Sequence, residues 1–139
     1  MDYQKLSEWR NKNNLFARML DMQITEISEG YAKAEMNVSE KHLNPVESVH
    51  GGCLFTLLDI AGSAAASSHG YHVTTLDANI HYLRAGLHTT RLTAETREIK
   101  RGKKVMVYDI SVADQDGCVL AEGMFTYMSL GKESVITGD

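Results

Sequence analysis

Proline is almost missing from this chain: Pro45 is the only one in 139 residues. With no linker-like or low-complexity stretch and no internal repeat, nothing marks a domain boundary, and one domain over residues 1–139 is expected. Cysteine is scarce as well. Cys53 and Cys118 have neither metal-ligand spacing nor the pattern of a disulfide framework. Both sit in apolar-rich stretches, which suggests buried, inert thiols in a reducing cytoplasm. Long hydrophobic runs are lacking: the most apolar stretch, 53–66, is too short to span a bilayer and carries Asp59 inside it. The polar N-terminal stretch has no signal-peptide core, so no membrane role is expected. Positive charge is not in excess, with a net charge of -4 and a pI of about 5.8, which argues against a general nucleic-acid binder. Walker and dinucleotide glycine motifs are absent, and Ser63, Ser67 and Ser68 lack a nucleophile elbow, which leaves them as small residues for helix packing. His69 and His72 gain no carboxylate or cysteine to complete a ligand set, so no metal is expected.

What is present is periodic. Residues 3–20 carry a rough apolar stripe of Leu6, Trp9, Leu15, Phe16 and Met19, with a weak point at Asn11–Asn14, and predict an N-terminal helical segment over 1–21. Strand-like runs follow at 22–27 and 31–38, joined at Glu29-Gly30. In the second, Ala32, Ala34, Met36 and Val38 alternate with polar residues, as in a strand with one wet face. A helix is expected over about 50–68, then strands at 72–83, 89–100, 103–113 and 119–130, with turns at Arg101-Gly102 and over 114–117. Short turns between adjacent strands imply an antiparallel sheet of five or six strands, hence an α+β domain with its core over 22–130 and a tail over 131–139.

The central helix is the informative element. At 100° per residue, Leu54, Leu57, Leu58, Ala61 and Ala65 share one face, and Phe55, Gly62 and Ala66 form a second apolar face that Asp59 borders. No Lys, Arg or Glu occurs between Gly51 and Ser68, which predicts a buried helix. A carboxylate there is costly unless compensated, because desolvation disfavours its charged form. It is therefore either a reactive group or one satisfied by backbone donors or by an arginine from elsewhere.

The start of that helix bears on the choice. His50-Gly51-Gly52 puts two residues without side chains at its first turn, where unpaired N–H groups and a partial positive charge face outward. Such an end suits a carbonyl oxygen that gains charge during acyl transfer. The alternative is chain flexibility at a loop–helix junction. Asp59 lies about 12 Å further along the axis at 1.5 Å per residue. That distance is awkward for a site within one subunit, whereas a two-fold partner could bring one chain's Gly51 beside the other's Asp59.

Asn44, then His50-Gly51-Gly52, then Leu58-Asp59-Ile60-Ala61 resembles the signature of hotdog-fold acyl-CoA thioesterases of the phenylacetate-pathway (PaaI-like) type. The run from Thr75 through Asp77, His81 and Tyr82 to Arg84 is similar to that family's third strand, although Ala85-Gly86 follows where the family commonly has proline. The resemblance covers about 30–130. It implies a long helix wrapped by a curved antiparallel sheet, in dimers with shared active sites, often paired into tetramers. It implies Asp59 as general base or nucleophile and the Gly51 N–H as the group that polarises the carbonyl. Asn44 would orient substrate or water from the partner chain, His50 would support the loop, and Thr75 would help to hold the attacking water. Coenzyme A would be part of the substrate, with no separate cofactor.

Lys100, Arg101, Lys103 and Lys104 flank Gly102 in a predicted hairpin. They are candidates, with Arg84, for binding the phosphates of the nucleotide end of CoA. The alternative is a solvated turn whose lysines guard a sheet edge. Two other functional readings stand beside thioester hydrolysis: a hydratase or dehydratase on the same fold, and a non-catalytic acyl-CoA-binding or sensing module. Neither the acyl group nor the choice between base and nucleophile is encoded in these motifs.

Overall fold

The computed structural model describes residues 1–133. Asp2 caps α1 (Tyr3–Asn13), its carboxylate accepting from Lys5 N. Asn14 then ends α1 and starts α2 (Leu15–Met19), accepting from Ala17 N. The expected single helix over 3–20 is thus two helices, because an asparagine side chain competes for backbone donors and favours a cap over a helix interior. The apolar stripe is only partly used: Leu6 and Ala17 are buried, but Leu15, Phe16 and Met19 are exposed. Asn11 docks α1 on the sheet by exchanging two hydrogen bonds with the Ile24 backbone, at 2.9 and 2.8 Å.

The strands are β1 (Met22–Ser28), β2 (Tyr31–Asn37), β3 (Tyr71–Tyr82), β4 (Arg91–Arg101), β5 (Val105–Ala113) and β6 (Val119–Glu133). They form one antiparallel sheet in the order β1-β2-β4-β5-β6-β3. Most boundaries fall within two residues of the periodicity. β6 runs on to Glu133, and 134–139 of the expected tail lie outside the described residues. Five inter-strand spacings make a sheet about 24 Å wide, whereas a helix is about 10–12 Å across. The long helix α3 (Gly51–Ser67) nevertheless contacts all six strands, so the sheet curls around it. This is the wrapped-helix architecture that the motifs imply.

Size complementarity sets the depth of α3. It offers Ala61, Gly62, Ala64, Ala65 and Ala66, while the sheet supplies the large buried side chains Tyr108, Ile110, Phe125 and Tyr127. Leu54, Leu57, Leu58 and Ile60 bury the rest of the helix, each contributing about 1.5–3 kcal/mol. No described helix is long and apolar enough to cross a membrane. Cys53 is buried, and burial pushes its thiol up, but Cys118 is exposed beside the β5–β6 turn, contrary to the expectation that both would be buried.

A polar cluster pins the C-terminal end of α3. Glu98 Oε2 accepts from Tyr108 at 2.8 Å and lies 2.9 Å from His69 Nε2, while Glu98 Oε1 accepts from Arg101 at 3.1 Å. Gly30, at φ +72°, closes the β1–β2 turn against this carboxylate and donates its N–H to Ser68 Oγ at 2.8 Å. Burial opposes ionisation of Glu98, but hydrogen bonds from Tyr108, His69 and Arg101 outweigh it and hold the carboxyl below its ordinary value. A depressed carboxyl stabilises the fold above the ordinary carboxylate range and loses that contribution as pH falls through its folded-state value. Glu98→Ala is therefore expected to cost about 1–3 kcal/mol near neutral pH. The gap between wild type and variant in urea melts should close as the pH is lowered through the carboxylate range.

Candidate active site

Asp59 stands in the middle of α3, half-buried rather than enclosed. Its Oδ1 accepts two hydrogen bonds, from Thr75 Oγ1 at 2.8 Å and from Tyr127 OH at 3.0 Å. The pair arises from sheet register: Thr75 of β3 and Tyr127 of β6 lie directly opposite each other, so both side chains point to the face that holds α3. Immediately beyond, the register slips between Thr75 and Asp77 in a β-bulge at Leu76. The bulge keeps Thr75 inward while turning Asp77 outward, opposite Thr126. No donor among the described residues reaches Asp59 Oδ2.

Two features beneath Asp59 have no counterpart in the sequence motifs. Tyr127 is fully buried. Burial, and then the adjacent Asp59 carboxylate, push its hydroxyl well above the usual tyrosine value, so it is a proton donor. Gly62, one turn on from Asp59, leaves the room this hydroxyl needs, since a Cβ there would sit 2.1 Å from Tyr127 OH. Arg10 reaches in from α1 and donates to Ser63 Oγ at 2.6 Å and Ser67 Oγ at 3.1 Å. Burial lowers its pKa, while Tyr127 and Asp59 act in the opposite direction. The serines expected as packing residues are thus acceptors for a buried cation. Their i, i+4 spacing on an apolar helix was the available signal. The signal for Tyr127 was a hydroxyl at an inward position of an alternating strand, where it needs a partner.

The other motif residues gather at the start of α3. His50 caps the helix, its Nδ1 accepting from Gly52 N at 2.8 Å, and its carbonyl takes the N–H groups of Cys53 and Leu54. That leaves the Gly51 N–H with no acceptor among the described residues. Tyr82 packs on Gly51, its hydroxyl donating to Gly51 O at 3.2 Å. A groove of about 320 Å³ opens here between Gly51, Leu54, Tyr82 and Arg84. Asn44 shapes the preceding loop: its Oδ1 accepts from Val46 N and Ser48 N, and its Nδ2 donates to Ser48 Oγ at 2.7 Å. Asn44, His50 and Gly51 therefore form one group and Asp59 and Thr75 another, about two helical turns apart along one chain.

Of the candidate phosphate binders, Arg84 borders the Gly51 groove. Arg101 is already paired, with Glu29 at 2.8 Å and Glu98 at 3.1 Å. Gly102 makes the tight turn, donating to Val105 O at 2.9 Å. Lys100, Lys103 and Lys104 are exposed, with no carboxylate partner among the described residues. Lys103 and Lys104 border a wide groove with Tyr71 and Met128. The hairpin's four cations reduce to three lysines around a neutralised arginine. The described residues contain no group of three or more His, Cys, Asp and Glu placed to hold a metal ion.

A family model described as the thioesterase superfamily matches residues 47–121, which include Gly51, Asp59 and Thr75. The chain is 33% identical over 136 residues to the acyl-coenzyme A thioesterase PaaI of Escherichia coli strain K12, covering 94% of this chain and 96% of that one. The structure of the E. coli PaaI protein, from the phenylacetic acid degradation operon, matches with a TM-score of 0.89 and 30% identity over 94% of this chain and 95% of that chain. A Streptococcus mutans protein, whose crystal structure has acetyl CoA bound, matches with a TM-score of 0.76 and 28% identity, covering 81% of this chain and 91% of that one.

Gly62→Ala tests the packing beneath Asp59. The added methyl meets both Tyr127 OH at 2.1 Å and Ile110 Cδ1 at 2.5 Å, so relaxation is costly. Loss of about 3 kcal/mol or more is expected, seen as a lower urea midpoint. An unchanged midpoint would mean that α3 does not sit this deep.

Proposed function

The chain belongs to the thioesterase superfamily, as a PaaI-like hotdog-fold member, and we propose from that membership that it hydrolyses acyl-CoA thioesters with Asp59 as the catalytic carboxylate. The observation that carries the reading is the state of Asp59: half-buried, anchored at Oδ1 by Thr75 and Tyr127, and free at Oδ2. A carboxylate merely satisfying the interior would have both oxygens engaged.

In the general-base form, Oδ2 takes a proton from water, whose oxygen attacks the thioester carbonyl carbon. The oxygen of the tetrahedral intermediate carries the charge and accepts from the free Gly51 N–H. Collapse breaks the C–S bond, and the protonated Asp59 returns its proton to the thiolate of CoA. In the nucleophilic form, Asp59 attacks first, expels the thiolate and forms an anhydride that water then opens. Both forms use the same anchored carboxylate. Thr75 sets its orientation and can also accept from the water. His50 and Asn44 hold the loop and helix start that present Gly51. Arg84, Lys100, Lys103 and Lys104 provide charge for the phosphates of the CoA moiety; acetyl CoA is the ligand bound in the Streptococcus mutans structure. Cys53 and Cys118, both unpaired, fit a reducing cytoplasm.

Gly51 and Asp59 lie about 12 Å apart on one helix and cannot act on the same carbonyl. The working unit is therefore a dimer, alone or paired into a tetramer, in which each site joins Asp59 and Thr75 of one chain to Gly51 of the other. β3 supports this arrangement. It is a sheet edge, and Tyr71, Leu76, Tyr82 and Leu83 on or beside it are 42%, 51%, 53% and 56% exposed. Such an edge favours pairing with a second chain. A two-fold axis through β3 would run the two α3 helices antiparallel, as the shared site requires.

Asp59→Asn is expected to lower kcat by at least about a hundredfold in a free-thiol assay across aliphatic, aromatic and carrier-protein thioesters, and near-wild-type turnover would sink the assignment. Gly51→Pro removes the N–H at a helix position that tolerates proline, next to an already extended His50 (φ -60°, ψ 132°), and should also be inactive. Refolded together in equal amounts, the two dead variants should recover about a quarter of wild-type activity, because half of the dimers then contain one intact site of two. No recovery would mean that the site is not shared.

A further inference from the structure

We propose that Tyr127 is a positioning residue for Asp59, holding Oδ1 so that the reaction runs through Oδ2. The inference rests on the reading of Asp59 as the catalytic carboxylate and adds which of its oxygens works and what aims it.

The two donors to Oδ1 differ in kind. Thr75 lies on an exposed part of β3, and its hydroxyl can turn to water. Tyr127 cannot turn away. It has no exposed surface, its ring lies edge-on to Tyr108 with centroids 6.1 Å apart, and it stacks with Phe125 at 6.4 Å. Its hydroxyl has one place to be, within 3.0 Å of Asp59 Oδ1 and 3.3 Å of the Asp59 carbonyl oxygen. Together with Thr75 it gives Oδ1 two hydrogen bonds, one for each of its lone pairs. Rotating the carboxylate would break both bonds and leave the buried tyrosine hydroxyl only its longer contact with the Asp59 carbonyl oxygen.

The surroundings are built to the same end. Gly62 is the only residue type that lets Tyr127 OH pass under the helix at this point. Arg10, tied to Ser63 and Ser67 just beyond, is the buried cation whose field reaches Tyr127 and Asp59. From β5, Tyr108 faces Tyr127 with its own hydroxyl turned away to Glu98. The hydroxyl groups of Tyr108, Ser63 and Ser67 are thus engaged elsewhere, and that of Tyr127 is directed at Asp59. Tyr127 and Arg10 lie outside residues 47–121, the part that the family model matches.

Tyr127→Phe keeps the ring and removes only the hydroxyl. It should lower kcat about ten- to a hundredfold, the weight of one hydrogen bond to a charged group, while KM for acyl-CoA changes less than about twofold. In an Asp59→Ala background, followed at high enzyme concentration, adding Tyr127→Phe should lower the residual rate no further. Wild-type kcat in Tyr127→Phe, a change in KM alone, or an equal loss in the Asp59→Ala background would each overturn the proposal. Full turnover by Asp59→Ala alone would overturn the catalytic assignment and this inference with it. Loss in Asp59→Ala without loss in Tyr127→Phe would overturn this inference only.

Discussion

At Gly62, α3 lies so close to the sheet that the Tyr127 hydroxyl and the Ile110 side chain occupy the space a Cβ would take. Much else depends on that contact. It sets the depth at which the helix lies, and so how tightly six strands must curl around it. It also brings a tyrosine hydroxyl beneath a carboxylate one helical turn away. A bulkier residue at position 62 would lift the helix, lengthen the Tyr127–Asp59 bond and open the core together. Packing and chemistry share one constraint here, which explains why a surface rich in small side chains carries the only acidic residue of α3.

Helix geometry imposes the second constraint. A free N–H at the start of α3 and a poised carboxylate at its middle are complementary in chemistry but separated by about two turns, a distance no side-chain motion on a packed helix can close. On the proposed mechanism, the chain would hold two halves of different sites. β3 carries Thr75 to one half and Tyr82 to the other, and it is also the exposed edge of the sheet. On that reading, one strand would serve the chemistry at both ends and offer the surface on which the halves of two chains could meet.

Much of this was legible in residue order. The alternation of 31–38, the turns at Gly30 and Gly102, the apolar period of α3 and the paired signals of His50-Gly51-Gly52 and Asp59 all depend on neighbours within a few positions. The rest depended on distant residues. Nothing near Arg101 announces that Glu29 will neutralise it across 72 residues of chain. The bulge at Leu76 breaks the alternation of β3, so the facing of Thr75 could not be counted from either end of the strand. Asn14 could be suspected of weakening the first helix, but its double capping became clear only with Ala17 and Arg10 in place. Cys118 followed an apolar-context rule that fails at a turn, where the chain is exposed whatever its neighbours are.

Arg10 shows why the N-terminal helix is more than an attachment. Desolvating a guanidinium costs several kcal/mol, and two serine hydroxyls alone are poor compensation. Its Nε has no partner among the described residues, which deepens the deficit. The nearby Asp59 carboxylate acts against this cost only in part, since burial still leaves the Arg10 pKa below its ordinary value. Through Arg10, a segment outside the family match is bonded to the helix that carries Asp59.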